Sequence, residues 1–267
     1  MIIMGKKFWN FKNASEGIGE LLIYGPIASE SWWGDEVTPK QFKEDLDKLG
    51  DISELNIYIN SGGGDVFAGQ AIHSILKRHS AKKTVYVDGL AASIASVVAM
   101  AGDTIVMPKN AMMMIHKAWT WAVGNANDFR KLADDMEKIE ETIIAAYESR
   151  DLTISRDEIV ELMDAETWLT ADEALEYGLI DEVEEEKKVA ASIDGGFLVM
   201  NGTKMDLSNY KNKPKFISLN EPNKCDATNS VSEPKIDDEK VIENVIPLIY
   251  FEKTIEINEK KFKEEEK

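Results

Sequence analysis

The sequence holds a single cysteine, Cys225, and three histidines, His73, His79 and His116. One thiol excludes an intrachain disulfide and any cysteine-rich metal site. Its setting, Asn223-Lys224-Cys225-Asp226, is polar and gives no reason for a catalytic role. No apolar stretch approaches the ~20 residues needed to span a bilayer. The N-terminal MIIMGKKFWNFKN lacks the long apolar run of a signal peptide, so the expectation is a cytoplasmic protein. Basic residues are a minority, 31 against 49 acidic ones, for a formal charge of −18. Such a field repels nucleic acid and anionic membrane, and neither is expected as a partner.

The 267 residues, 43% of them apolar, suffice for a real core. The chain divides by character into three parts: an N-terminal segment at 1–19, a region at 20–183 that alternates strand-like and helix-like stretches, and a tail at 184–267. The tail is rich in Lys, Glu and Asn, is punctuated by Pro214, Pro222, Pro234 and Pro247, and ends in the charge run KKFKEEEK. It holds 18 acidic and 14 basic residues, which leaves −14 on the first 183. The acidity therefore belongs to the folded part. Low hydrophobicity makes much of 184–235 a candidate for disorder, whereas VIENVIPLIYFEKTIEI at 241–257 is apolar enough to form a strand or to dock on something.

Within 20–183 the period of the apolar residues switches repeatedly between strand and helix. ELLIYGPI (20–27) reads as a buried strand and Pro39–Leu49 as a helix. LNIYIN (55–60) reads as a strand running into SGGGD, followed by a helix at 66–79. Residues 83–87 read as a strand running into DGLAAS, followed by a helix at 93–101 and a short strand at 104–107. Repetition of this kind predicts a parallel sheet flanked by helices, with right-handed crossovers. Residues 124–150 read as a long amphipathic helix. Its seam of Phe129, Leu132, Met136, Ile139, Ile143 and Tyr147 would pack on its own domain or on a second copy.

Three short stretches carry chemistry. In Asn60-Ser61-Gly62-Gly63-Gly64-Asp65, glycines between a strand and a helix let backbone N–H groups face an open site. That serves a tight turn, a phosphate cradle or an oxyanion hole. The phosphate reading lacks its Gly-Lys-Ser/Thr ending. In Asp88-Gly89-Leu90-Ala91-Ala92-Ser93, a serine among small residues at a strand-to-helix junction fits a nucleophile elbow or a plain helix N-cap. In Met112-Met113-Met114-Ile115-His116-Lys117, a histidine closes an apolar strand, as a core residue or as a base. His79, near a helix C-terminus, reads as structural.

Taken in order, these pieces resemble the ClpP family of serine peptidases (peptidase S14). The family's YINSPGG is matched by Tyr58-Ile59-Asn60-Ser61-Gly62-Gly63-Gly64, and its GQAAS by Gly89-Leu90-Ala91-Ala92-Ser93. Its MIH is matched by Met114-Ile115-His116, and its FLSAxEAxEYGL by the run Trp168 to Leu179. The resemblance covers about residues 20–183. It implies the α/β spiral of ββα units, shared with crotonases, with a protruding handle helix. It implies Ser93 as nucleophile, His116 as base, and the N–H groups of Gly64 and Ile94 as oxyanion hole. The third triad member falls at Glu166 where the family has aspartate, with Asp164 as the competing carboxylate. No metal or cofactor is implied. The partners implied are a polypeptide substrate, sister subunits in a homo-oligomeric ring, and an ATP-dependent unfoldase.

Several positions depart from the family pattern. Gly62 replaces a proline, Trp119 and Trp121 are bulkier than usual, the N-terminus lacks the axial-loop sequence, and the tail has no counterpart. These departures resemble the ClpP-related proteases of tailed phages and prophages, which process capsid proteins during head maturation. Other readings are a crotonase-type acyl-CoA enzyme, an inactive assembly protein, or a serine–lysine peptidase using Lys117. The last is disfavoured because neighbours on a strand point to opposite faces.

Overall fold

The structure is a computed structural model and describes residues 7–29, 38–185, 191–194, 197–200, 203–207, 210 and 212–213. The apolar stretch at 241–257, the surroundings of Cys225 and the terminal charge run lie outside the described residues.

Apolar alternation builds the sheet. β1 (Trp9–Ser15) turns back at Gly17, which has φ of +74°, and pairs antiparallel with β2 (Ile18–Tyr24). From β2 the chain passes through α1 (Pro39–Asp47) to β3 (Glu54–Ser61), then through α2 (Val66–Arg78) to β4 (Lys82–Ala92). β2, β3 and β4 are parallel neighbours, and each crossover advances by one strand in the same direction. Every second side chain along them is buried: Leu21 and Ile23, then Leu55, Ile57 and Ile59, then Val85 and Val87. These belong to one core with Phe42 and Leu46 of α1 and Ile72 and Leu76 of α2. The alternate residues stay half-buried, among them Tyr58 and Tyr86, whose rings stack at 5.2 Å.

β4 is longer than its sequence suggests. The strand read at 83–87 does not stop at Val87: the stretch at 88–92 continues it and is paired to its end. The reason is burial: Gly89 to Ala92 are enclosed, so their backbone groups need a ladder. The first half of β4 pairs with β5 (Thr104–Pro108), and its last residues pair with β6 (Met112–Ile115). Between β4 and β5 lies the short helix α3 (Ile94–Ala99), every residue of which is buried.

The long helix α4 (Ala126–Tyr147) opens on a capping box made by Asn125 and Asp128. Only its end enters the core. Ile143, Ile144, Ala146 and Tyr147 are buried, Leu132, Met136 and Ile139 are intermediate, and Phe129 is exposed. After it come α5 (Arg156–Asp164), β7 (Thr167–Thr170), α6 (Ala171–Glu176) and β8 (Glu182–Glu184). β7 pairs antiparallel with β6, and β8 closes the sheet order β1-β2-β3-β4-β5-β8. A separate three-stranded antiparallel sheet follows, made of β9 (Ala191–Asp194), β10 (Phe197–Met200) and β11 (Thr203–Asp206). The architecture is the expected mixed α/β fold with a parallel sheet and a protruding helix. No described helix is long and apolar enough to cross a membrane.

Candidate active site

Three neighbouring strand ends bring Ser93, His116 and Glu166 together. Ser93 follows the last residue of β4, His116 follows the last residue of β6, and Glu166 precedes the first residue of β7. β4 and β6 are in register up to Ala92 opposite Met114, and β6 and β7 up to Ile115 opposite Thr167. One step beyond the β6–β7 ladder His116 comes opposite Glu166, and Ser93, one residue past Ala92, meets His116 from the neighbouring strand end. The Ser93 N–H donates to the Met114 carbonyl at 2.8 Å and locks the first two strands together.

Ser93 stands at φ of 55° and ψ of −132°, a conformation that costs a non-glycine residue about 1–3 kcal/mol. It occupies the N-cap position of α3, yet its hydroxyl caps nothing. The Oγ lies 2.7 Å from Nε2 of His116 instead. In the run from Gly89 to Gly102 every residue is buried except Ser93, which is partly accessible. The elbow is held from behind. Ser96 Oγ donates to the Ser93 carbonyl at 2.5 Å and also meets the Tyr147 hydroxyl at 2.8 Å, both hydroxyls being buried. Tyr147 thus braces the turn from the end of α4. Neither Ser96 nor Tyr147 stands out as a site residue in the sequence; Tyr147 is visible there only as part of the apolar seam.

The glycine loop closes the front. Gly63 and Gly64 have φ of +91° and +145°. A Cβ on Gly63 would sit 2.5 Å from the Ser93 Cβ, and one on Gly64 would sit 2.0 Å from the Ile27 carbonyl oxygen. Both positions therefore require glycine on grounds of space as well as conformation. The Gly63 N–H donates to Ser61 Oγ at 3.1 Å, and its carbonyl accepts from the Ile27 N–H at 2.8 Å. Asp65 ends the loop by capping α2, its carboxylate accepting from the Ala68 N–H at 2.7 Å. The loop backbone is tied down at both ends, next to the nucleophile candidate.

His116 is only 7% exposed. Burial pushes its imidazole below the ordinary value, and the charge of Glu166 pulls it part of the way back. Asp164 is directed elsewhere. Its carboxylate meets the Lys117 ammonium at 2.7 Å, and Glu140 meets the same ammonium at 3.6 Å. Lys117 is held in those ion pairs, one residue beyond the histidine. Glu166 sits at φ of 49°, directly after the C-cap of α5, where its N–H donates to the Met163 carbonyl at 3.2 Å. Glycine usually fills such a left-handed position.

His79 has the structural role its place implies. It is the C-cap of α2, and its Nδ1 accepts from the Ala81 N–H at 3.2 Å. Among the described residues no group of three or more His, Cys, Asp or Glu side chains is arranged to hold a metal ion. A cavity of about 400 Å³ opens in front of Ser93, and its walls include Gly63, Gly64, Trp119, Lys204 and Met205.

A hydroxyl on a strained turn within reach of a buried imidazole is the arrangement of nucleophilic acyl-transfer sites. Here it is carried at the ends of parallel strands of an α/β sheet. Comparison with known proteins narrows that class: the Clp protease family model matches residues 43–187, more than half of the chain, and the chain belongs to that family. It is 36% identical over 144 residues to an ATP-dependent Clp protease proteolytic subunit of Bacteroides fragilis, covering 52% of this chain and 67% of that protein. It is 32% identical over 141 residues to the corresponding subunit of Deinococcus radiodurans, covering 52% and 68%. A proteolytic subunit 1 of Salinibacter ruber is 32% identical over 152 residues, covering 55% and 63%. The chain therefore spans about two thirds of the length of these curated relatives.

Proposed function

We propose that this chain is a serine endopeptidase in which Ser93 is the nucleophile, His116 the base and Glu166 the group that orients the base. The observation that carries the reading is the 2.7 Å contact between Ser93 Oγ and His116 Nε2. Ser93 Oγ attacks the scissile carbonyl carbon while its proton passes to Nε2. The carbonyl oxygen becomes an oxyanion that accepts from the N–H groups of Gly64 and Ile94. The intermediate collapses to an ester on Ser93, and the leaving amine takes the proton from His116. Water then repeats the sequence and releases the acid. The tied-down glycine loop beside Ser93 supports the oxyanion role of Gly64, and the place of Ile94 at the start of α3 supports its own.

The base works only as neutral imidazole. Because burial lowers its pKa, the neutral form persists below the ordinary imidazole value of 6.5. Activity on a fluorogenic peptide is therefore expected to fall on the acid side with a midpoint below 6.5. A limb above that value contradicts His116 as a buried base. A crotonase-type enzyme would use the oxyanion hole without the serine. The serine–histidine contact supports hydrolysis over that reading and over an inactive assembly protein.

The half-exposed apolar seam of α4 supports a homo-oligomeric ring in which this helix meets a second copy. The substrate we propose is a polypeptide, and the setting capsid-protein processing during phage head maturation. Its support is the set of departures at Gly62 and Glu166 and in the chain beyond residue 184. The names of the relatives favour a second setting, a proteolytic subunit served by an ATP-dependent unfoldase. Purified protein tested on an unfolded polypeptide with native mass measurement separates them. The capsid setting expects an assembled oligomer that trims discrete sites without ATP or a partner. Cleavage of proteins that appears only with an unfoldase and ATP contradicts it.

A further inference from the structure

The Clp protease match ends at residue 187, but the described chain beyond it returns to the site. Leu198 of β10, Met205 of β11 and Leu207 are buried in one cluster with Leu90, Ala92 and Met114. Those last three belong to the strands that deliver Ser93 and His116. The Met205 side chain takes the space beside Gly62, where an added Cβ would come within 2.9 Å of it. Further on, the Tyr210 ring lies 5.4 Å from the His116 imidazole and 6.1 Å from Trp168, centre to centre. The Asn212 N–H donates to Glu166 Oε2 at 3.1 Å, its side-chain amide donates to the Ala165 carbonyl, and its own carbonyl accepts from Trp168 Nε1 at 2.9 Å.

We propose that the described residues of β10, β11, Leu207, Tyr210 and Asn212 are a working part of the active site, in which Tyr210 and the Asn212 backbone are positioning residues for His116 and Glu166. The inference rests on the serine–histidine reading above. An imidazole that accepts a proton from Ser93 must keep Nε2 aimed at Oγ through a ring that otherwise turns about its last torsion. Tyr210 packs against that ring. Glu166, in a conformation unusual for glutamate, has one carboxylate oxygen fixed by the Asn212 N–H. The segment walls the site and leaves it open, since Lys204, Met205 and Tyr210 line one side of the cavity in front of Ser93.

Among the described residues, the titratable and polar groups about the imidazole are the Ser93 hydroxyl from the β4–α3 turn, Glu166 from the turn before β7 and the Tyr210 phenol, with Tyr147 of α4 lining the same small cavity. Burial pushes Tyr210 up to about 12, with Glu166 and Asp206 adding to the rise, so its phenol is neutral throughout the working range. Lys117, next in sequence to His116, is occupied by Asp164 and Glu140. What Tyr210 supplies is therefore cover and position.

The test is the rate at which a fluorophosphonate labels the full-length protein, followed by intact mass from acid to neutral pH, for wild type, Tyr210→Phe, Tyr210→Leu and Tyr210→Ala. Tyr210→Phe keeps the ring and is expected to match wild type. Tyr210→Ala is expected to label on the order of 10-fold more slowly, as a misplaced catalytic group does. Its acid limb should also rise toward the ordinary imidazole value, because water reaches the ring. Tyr210→Leu keeps apolar bulk in the cluster and should move the limb the same way by less; it carries the test if the alanine variant melts early. Labelling of both variants at the wild-type rate and limb overturns the inference and leaves the serine reading intact. Faster labelling at every pH also overturns it, because the segment would then obstruct the site. A wild type that never labels removes the serine reading, and this inference with it.

Discussion

Replacing Ser93 by alanine is expected to lower peptide hydrolysis by about 10⁴-fold or more, the usual scale for losing a nucleophile that works with a base. Fold and melting temperature should scarcely change. The Ser93 hydroxyl does not cap α3, and its neighbours are held by bonds that alanine keeps: its N–H to Met114 and its carbonyl to Ser96. Alanine removes the hydrogen bond to His116 and leaves those two in place. Activity that persists within about 10-fold of wild type would assign the chemistry to another group, since no single general-base or positioning effect restores a missing nucleophile.

The second large effect is expected at Glu166. Glu166→Gln keeps the shape and removes the charge that favours the imidazolium. Turnover should fall by about 10²–10⁴-fold, the scale on which losing an orienting carboxylate acts through tautomer and charge. The direction of the pH effect gives a further check. Without that anion the His116 pKa drops further, so the acid limb should move to lower pH while the plateau falls. A plateau that falls for loss of neutral base would move the limb the other way. Asp164→Asn is expected to change turnover by no more than about 3-fold, because its carboxylate is exposed and paired with Lys117 on the surface. If Asp164→Asn proves the more damaging, the third member has been misassigned.

How much of this was legible in the sequence differs from residue to residue. The strands ending at Ser61 and Ile115 and the helix after Asp65 follow from apolar period and from glycine and aspartate at the junctions. Ser93 could not be told from an N-cap locally, because both roles place a serine before a helix. Its backbone at φ of 55° and its bond to His116 distinguish them, and both depend on β6 lying beside β4. Such parallel pairing between distant residues leaves no mark in a local pattern. Glu166 and Asp164 differ by two positions, and register through Thr167 opposite Ile115 favours the former. That register was readable only through the Trp168–Leu179 motif.

The placement of Tyr210 and Asn212 beside His116 and Glu166 was not legible at all. They lie in a polar, lysine- and asparagine-rich stretch whose composition reads as weakly structured. A short apolar triplet, Leu198, Met205 and Leu207, anchors it, and the space that receives Met205 exists because residue 62 is glycine. In the sequence that glycine reads as a loosened turn. In the structure it is the place where a segment from far along the chain comes to rest. Tyr147 is a similar case: the apolar seam of α4 explains its ring but not its hydroxyl, which braces the Ser93 turn through Ser96.

The measurement that bears most directly on the account is the site of covalent modification. Full-length protein treated with a biotinylated fluorophosphonate at neutral pH, then digested and sequenced by mass spectrometry, is predicted to carry one adduct per chain on Ser93. The Ser93→Ala protein should carry none. An adduct on any other residue, or a Ser93→Ala protein that labels to the same stoichiometry, would contradict the assignment of Ser93 as the nucleophile.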